Sequence, residues 1–229
     1  KNTFIASQNG YPDKDYKALT ERLRSGFPEA KYIDISGLLS ADDFYYTDSH
    51  WRQERITKVA DEIAAQMGAE RIGTCEIQDT GRPFYGVYYG QAALPHAPER
   101  LFYLDNAVIR GLKVYNVETQ SDIPVYDLGA AAGRDPYEMF LGGARSIIKI
   151  TNPNAAQERR LIVFRDSFGS SIAPLLAAGY SEITLVDIRY ISPLSLGKLI
   201  DFTKADDVLF LYSASVINNS ETIKGTSKN

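Results

Sequence analysis

The sequence predicts one α/β domain, a three-layer α/β/α arrangement around a mostly parallel sheet. Three observations predict it. Apolar runs typical of strands buried on both faces recur in the second half of the chain. Amphipathic helical stretches alternate with them. Between two such regions lies a Gly-, Pro- and Tyr-punctuated segment of short β-like runs. The chain has 229 residues, 44% of them hydrophobic, enough to bury a sizeable core without disulfides or metals.

Taken in order, residues 15–26 (DYKALTERLRSG) read as an amphipathic helix ending at Gly26. Residues 31–35 (KYIDI) read as a short strand, followed by the polar loop SADDFYYTDSHW. From Arg52 to Met67, Ile56, Val59, Ala60, Ile63, Ala64 and Met67 recur at three- and four-residue steps. They give one buried helical face, and Gly68 ends the helix. Residues 74–130 carry the runs CEIQ, FYGVYYG, RLFYLD, LKVYNVE and IPVYDL. They predict an antiparallel insertion that flanks the candidate site rather than extending the parallel sheet, within a single domain spanning residues 1–229. Beyond it, SIIKI and RLIVF predict strands and residues 167–178 a helix. ITLVDI predicts a strand, SPLSLGKLIDFT a helix and DVLFLY a last strand.

Composition narrows the function classes. Lys and Arg number 25 against 29 Asp and Glu, a net charge of −4, which leaves no basic footprint for nucleic acid and no polybasic membrane patch. No apolar stretch is long enough to span a membrane. Cys75 is the only cysteine, so no internal disulfide and no zinc-type Cys/His spacing exist. No glycine-rich phosphate cradle appears either, so no cofactor is expected. The chain begins at Lys1 rather than Met, and a signal or anchor segment is expected to precede it in the natural protein. Fifteen tyrosines stand beside one Trp and two His. They suit half-buried strands first and sugar-stacking surfaces second.

Two segments carry chemistry. In RLIVFRDSFGSS a buried strand runs into a helix at Ser167, so this serine lies at the carboxyl end of a strand, where open α/β sheets place their sites. A serine nucleophile suits that position, and so does a plain helix cap, since Asp and Ser are favoured cap residues. In YYTDSHW, Asp48 and His50 stand two apart in a loop. Asp48 can orient the imidazole and leave its far nitrogen to act as a base, or Asp48 or Ser49 can cap the helix that follows. His96, in the Pro-flanked LPHAPE, reads as a solvated loop residue.

The two segments together resemble a known group. TDSHW is similar to the D-x-H-W motif of the SGNH-hydrolase-like acyltransferases, which include the alginate O-acetyltransferases, and RDSFGSS to the serine block that follows it there. The DHHW family of bacterial surface proteins is the closer likeness. YEMFLGG (137–143), RDSFGSSIAPLL (165–176), ITLVDIRY (183–190) and DVLFLYS (207–213) resemble its blocks in order, from about Lys31 to Asn219. The resemblance implies an SGNH-hydrolase-like (flavodoxin-like) fold, with Ser167 as nucleophile, His50 as base and Asp48 as its orienter. It also implies an extracytoplasmic esterase or O-acyltransferase acting on acyl esters of a cell-envelope polysaccharide. The alternative is a non-catalytic surface scaffold, or a glycan-binding protein, that keeps the fold.

Two departures matter. The family's first histidine is Ser49 here, outside the triad positions, and Arg165 stands where hydrolases have the glycine before Asp-Ser. There is also no G-x-N-D block to supply an oxyanion asparagine. Besides the Ser167 N–H, the candidate donors are Gly142, Gly143 and Arg189, with an ion pair to Asp187 or Asp166 as the other reading of Arg189. Asp166 reads as the residue that holds the turn.

Overall fold

The structure is a computed structural model and describes residues 1–92, 96–219 and 221. Its strands are β1 (Glu76–Phe84), β2 (Glu99–Asp105), β3 (Lys113–Asn116), β4 (Ser121–Ile123), β5 (Ile147–Thr151), β6 (Arg160–Arg165), β7 (Glu182–Val186) and β8 (Asp207–Leu211). Six of them form the main sheet in the order β4-β3-β5-β7-β6-β8, and β1 pairs with β2 in a separate antiparallel ribbon.

The main sheet is mixed, which corrects the expected parallel sheet. Only β7, β6 and β8 run parallel; β4, β3, β5 and β7 pair antiparallel in turn. The cause is connection length. Residues 152–159 join β5 to β6 and hold no helix. A parallel return needs a crossover of about a dozen residues or more. The chain therefore reverses, and β7 fills the gap between β5 and β6. The region 74–130 also divides. The ribbon β1–β2 stands apart from the main sheet, whereas β3 and β4 extend it at one edge.

Alternation along the strands sets the two faces of the sheet. Ile148, Ile150, Leu161, Val163, Ile183 and Leu185 face the larger core. The helix Thr57–Met67 covers that side with Val59, Ala60 and Ile63, together with the helical run from Phe168 to Gly179. Gly68 ends the first helix in the left-handed conformation expected of it. The second run is α-helical only over Phe168–Ile172 and continues as a 3-10 helix over Ala173–Gly179, because Pro174 has no N–H to give to an α-helical ladder.

The opposite face carries Ile147, Ile162 and Val186 beneath Leu196 and Ile200. Its cover is thin: the helix expected over SPLSLGKLIDFT is one turn, Pro193–Leu196, and a separate 3-10 turn, Phe202–Lys204. Lys31–Ile35, expected as a strand, is irregular; Ile33 and Ile35 pack on the larger core, but no neighbouring strand pairs with them. The helix expected over residues 15–26 spans Tyr16–Gly26, after a first helix over Asn2–Asn9, and is capped by Asp15, which accepts the Ala18 N–H at 2.9 Å. Among the described residues no helix is long and apolar enough to cross a membrane.

Candidate active site

The loop that carries Asp48 and His50 closes on itself through a bridge between Phe44 and Trp51, with the Tyr45 N–H donating to the His50 carbonyl at 3.1 Å. At its tip Asp48 Oδ1 accepts two hydrogen bonds from His50, one from the backbone N–H at 2.9 Å and one from Nδ1 at 2.6 Å. Its other oxygen, Oδ2, accepts the Val87 N–H at 2.9 Å. A carboxylate only accepts, so Nδ1 carries the proton and Nε2 presents its lone pair. That lone pair lies 2.6 Å from Ser167 Oγ. Residues 117 positions apart in the chain thus form one hydrogen-bonded line from carboxylate to imidazole to hydroxyl.

Both alternative capping roles are unused. The Ser167 side chain makes no cap bond to the helix Phe168–Ile172. Asp166 holds the elbow instead: its Oδ1 accepts the Phe168 N–H at 3.0 Å and its Oδ2 accepts the Ser213 N–H at 2.7 Å. The helix Thr57–Met67 starts well beyond Asp48 and Ser49 and has no side-chain cap.

The imidazole is also fixed from its faces. The Tyr137 ring stacks on it at 4.0 Å and 12°, and Phe168 lies tilted at 5.1 Å. Tyr137 is in turn anchored through its hydroxyl, which donates to Ser171 Oγ at 2.7 Å. Trp51 Nε1 donates to the same oxygen at 2.7 Å, and the Ser171 carbonyl accepts Gln53 Nε2 at 2.6 Å. Gln53 Oε1 accepts the Leu104 N–H at 2.8 Å, so this buried network ties the His50 loop to the serine helix and to β2. Burial pushes the Tyr137 hydroxyl far above its ordinary pKa, which keeps it a donor.

Burial alone would raise the Asp48 pKa, but the hydrogen bonds and charge of His50 and the Val87 N–H outweigh it and hold the carboxyl below its ordinary value of 3.8. A depressed folded-state pKa contributes stability that is present above the unfolded value and is lost as pH falls through the folded one. Acid unfolding below about pH 4 should therefore be flatter in Asp48→Asn than in the parent, as read by circular dichroism against pH. Equal slopes would mean that Asp48 is not held ionised by these partners.

Of the expected oxyanion donors, two are committed elsewhere. The Gly143 N–H donates to the Phe140 carbonyl at 3.1 Å. Arg189 lies in a two-point ion pair with buried Asp187, Nε to Oδ1 at 2.8 Å and Nη2 to Oδ2 at 2.6 Å. The ion-pair reading of Arg189 is thus the one the structure adopts. Gly142 adopts φ 70°, and a Cβ there would meet Ile123 and Arg145. Within the elbow the Phe168 and Gly169 N–H groups bond to Asp166, and the Ser167 N–H has no acceptor among the described residues. His96 lies outside the site; it is exposed and stacks on Tyr46 at 4.7 Å. Among the described residues no cluster of three His, Cys, Asp or Glu side chains is arranged to hold a metal ion.

Sequence reasoning missed Tyr137, Ser171, Gln53 and Glu99. Ser171, the last serine of DSFGSS, and Tyr137, which opens YEMFLGG, lie in segments that carried a signal; Gln53 and Glu99 act across long chain separations.

The DHHW protein family model matches residues 38–186, more than half of the chain and both chemical segments. The chain belongs to the DHHW protein family. A DHHW family protein from Eubacterium siraeum superposes with TM-score 0.62 at 23% identity, covering 80% of this chain and 63% of its own. Bacillus cereus PatB1 with a sulfonyl adduct superposes with TM-score 0.60 at 20% identity, covering 85% of this chain and 67% of its own. A second PatB1 structure gives TM-score 0.59 at 20% identity. At these identities the likeness is one of fold. This DHHW chain spans less than two thirds of the Eubacterium protein's length. No curated protein matches it.

Proposed function

We propose that this DHHW protein is an SGNH-hydrolase-like esterase or O-acyltransferase of the cell envelope that moves an acyl group, acetyl first among them, on or off a polysaccharide hydroxyl. One observation carries the reading: Nε2 of His50 lies 2.6 Å from Ser167 Oγ while Nδ1 lies 2.6 Å from Asp48 Oδ1. Ser167 Oγ attacks the acyl carbonyl as His50 Nε2 takes its proton, and Asp48 stabilises the imidazolium. The Ser167 N–H supports the oxyanion. Collapse breaks the ester bond, and His50 returns the proton to the leaving alcohol. Water or a sugar hydroxyl then gives its proton to His50 and attacks the acyl-enzyme; the bond from the acyl carbon to Ser167 Oγ breaks, and His50 returns the proton to Oγ. The resemblance to the SGNH-like acyltransferases supports the substrate class, and the family's surface location supports the compartment.

A scaffold without turnover is the competing reading. It is favoured by the commitment of Gly143 and Arg189 to other partners, which leaves few oxyanion donors. Covalent labelling decides between them. A fluorophosphonate or sulfonyl fluoride probe, the latter in keeping with the sulfonyl adduct of PatB1, is expected to mark the protein on Ser167 alone by peptide mass spectrometry. Ser167→Ala should take no label. Folded parent protein that stays unlabelled, and inert towards several acyl esters, would overturn the enzyme reading.

A further inference from the structure

The loop Tyr45–His50 has little support of its own, yet it holds two members of the triad. Its own backbone closes it with the bond from Tyr45 to His50. Asp48 Oδ1 bonds within the loop to His50, and the polar groups of Tyr46 and Thr47, with Asp48 Oδ2, are gripped from outside. Glu99, the first residue of β2, turns its carboxylate onto the loop: Oε1 accepts the Tyr46 N–H at 2.8 Å, and Oε2 accepts the Thr47 N–H at 2.8 Å and Thr47 Oγ1 at 2.7 Å. On the neighbouring side, just past the end of β1, three successive N–H groups bind the loop. Gly86 donates to Thr47 Oγ1 at 3.1 Å, Val87 to Asp48 Oδ2 at 2.9 Å and Tyr88 to the Thr47 carbonyl at 2.9 Å. The approach is so close that a Cβ on Gly86 would lie 2.3 Å from the Thr47 carbonyl oxygen and 2.5 Å from Asp48 Cβ. Lys1 Nζ adds donors to the carbonyls of Tyr45 and Asp48, both at 2.5 Å.

We propose that Glu99 is a positioning residue of this site, which acts with the Gly86–Tyr88 strap through Thr47 to aim Asp48 at His50. The proposal rests on the acyl-transfer reading of the triad. It gives the separate ribbon β1–β2 a role in the chemistry, since one end of the ribbon, where Phe84 pairs with Glu99 and Gly86 follows, supplies both the carboxylate and the strap that grip the loop. The residue type follows from the donors. Three donors converge on one side chain, and a carboxylate is acceptor-only on both oxygens. A glutamine would turn an NH2 group towards one of these donors. It would lose the charge-assisted bonds and let the loop move by a fraction of an ångström, enough to spoil a near-attack geometry.

Glu99→Gln is the test, made on the whole chain with p-nitrophenyl acetate and with 15N-detected NMR of His50. Expected is a fall in kcat of about tenfold to hundredfold at nearly constant KM. The 2.6 Å bond to Asp48 predicts a downfield Nδ1–H resonance of His50 in the parent, and in the variant it should move upfield or broaden. Thr47→Val, which removes the hydroxyl linking Glu99 to Gly86, should do the same, and Thr47→Ser should restore both signals. This second pair keeps the test open should Glu99→Gln fold poorly. Unchanged kcat and an unchanged resonance in folded Glu99→Gln or Thr47→Val would overturn the proposal. So would an activity loss that merely tracks the unfolded fraction while the resonance of the folded molecules stays in place. If the parent itself neither hydrolyses ester nor takes the serine label, the acyl-transfer reading fails. The His50 resonance then still judges the clamp.

Discussion

Ser167→Ala and His50→Ala are each expected to remove about a thousandfold or more of any esterase turnover, and the double variant to lose little beyond that. In the proposed mechanism nucleophile and base act as one unit across the 2.6 Å contact from His50 Nε2 to Ser167 Oγ, so deleting either would leave the other without a function. Independent sites would instead lose activity additively. Asp48→Asn should cost on the order of ten-thousandfold in rate while the shape is kept, because an amide NH2 facing Nδ1 forces the wrong tautomer. Stability separates this from a structural account. The Ser167 hydroxyl makes no cap bond, so Ser167→Ala should shift unfolding free energy by well under the ~1 kcal/mol that a cap contributes. Initial rates with p-nitrophenyl acetate and calorimetric melting of the four variants check both halves. A Ser167→Ala protein with undiminished turnover would remove the serine mechanism outright.

Much of this site was legible because its closest contacts are local or rest on strand ends. Asp48 and His50 are two positions apart, which lets one carboxylate oxygen accept both the His50 N–H and Nδ1. Ser167 lies just past a strand that is apolar from Leu161 to Phe164, and open α/β sheets gather their sites at the carboxyl ends of such strands. The four strands β5 to β8 were visible as apolar runs. Their relative directions were not, since direction is set by what the connecting residues can span. Residues 152–159 look like any polar loop, yet they rule out a parallel β5. Helices over 167–178 and 192–203 were overdrawn where Pro174 and Gly197 interrupt the ladder.

Two of the supporting residues, Glu99 and Gln53, left no trace in the sequence. Glu99 meets Tyr46 across 53 positions, and Gln53 meets Ser171 across 118. No periodicity marks such pairs, because each is decided by where two separately folded segments come to rest. Gly86 is the instructive case. It sits in FYGVYYG among residues that read as strand, and its lack of a side chain is required only by the Asp48 loop laid against it.

Arg165→Leu is expected to destabilise the protein by about 3 kcal/mol, the lower end of what breaking a buried ion pair costs. Arg165 is fully buried at the end of β6, with Asp187, equally buried, 3.8 Å from its Nη1. Burial draws its pKa below the ordinary guanidinium value, and the Asp187 charge opposes that and helps keep it protonated. Its other bonds are long: 3.1 Å to Ser170 Oγ, 3.3 Å to the Asp166 carbonyl and 3.4 Å to that of Gly143. Weak hydrogen bonds and the second partner of Asp187, Arg189 at 2.6 Å, place the cost at the low end. For a chain of this length the loss corresponds to a fall in Tm of roughly 6–12 °C. Asp187→Asn should be at least as harmful, because it leaves Arg165 buried with no carboxylate in direct contact. The double variant Arg165→Leu with Asp187→Asn should cost clearly less than the two single losses summed, the mark of a direct pair. The change also reaches the site. Arg165 lies beneath the serine elbow, where a Cβ on Gly169 would come within 2.6 Å of its own Cβ, and it holds Asp166 and Ser170 on either side of Ser167. Esterase activity per folded molecule should therefore drop along with Tm. A Tm unchanged within about 2 °C would show instead that the elbow tolerates an apolar side chain at the position of Arg165.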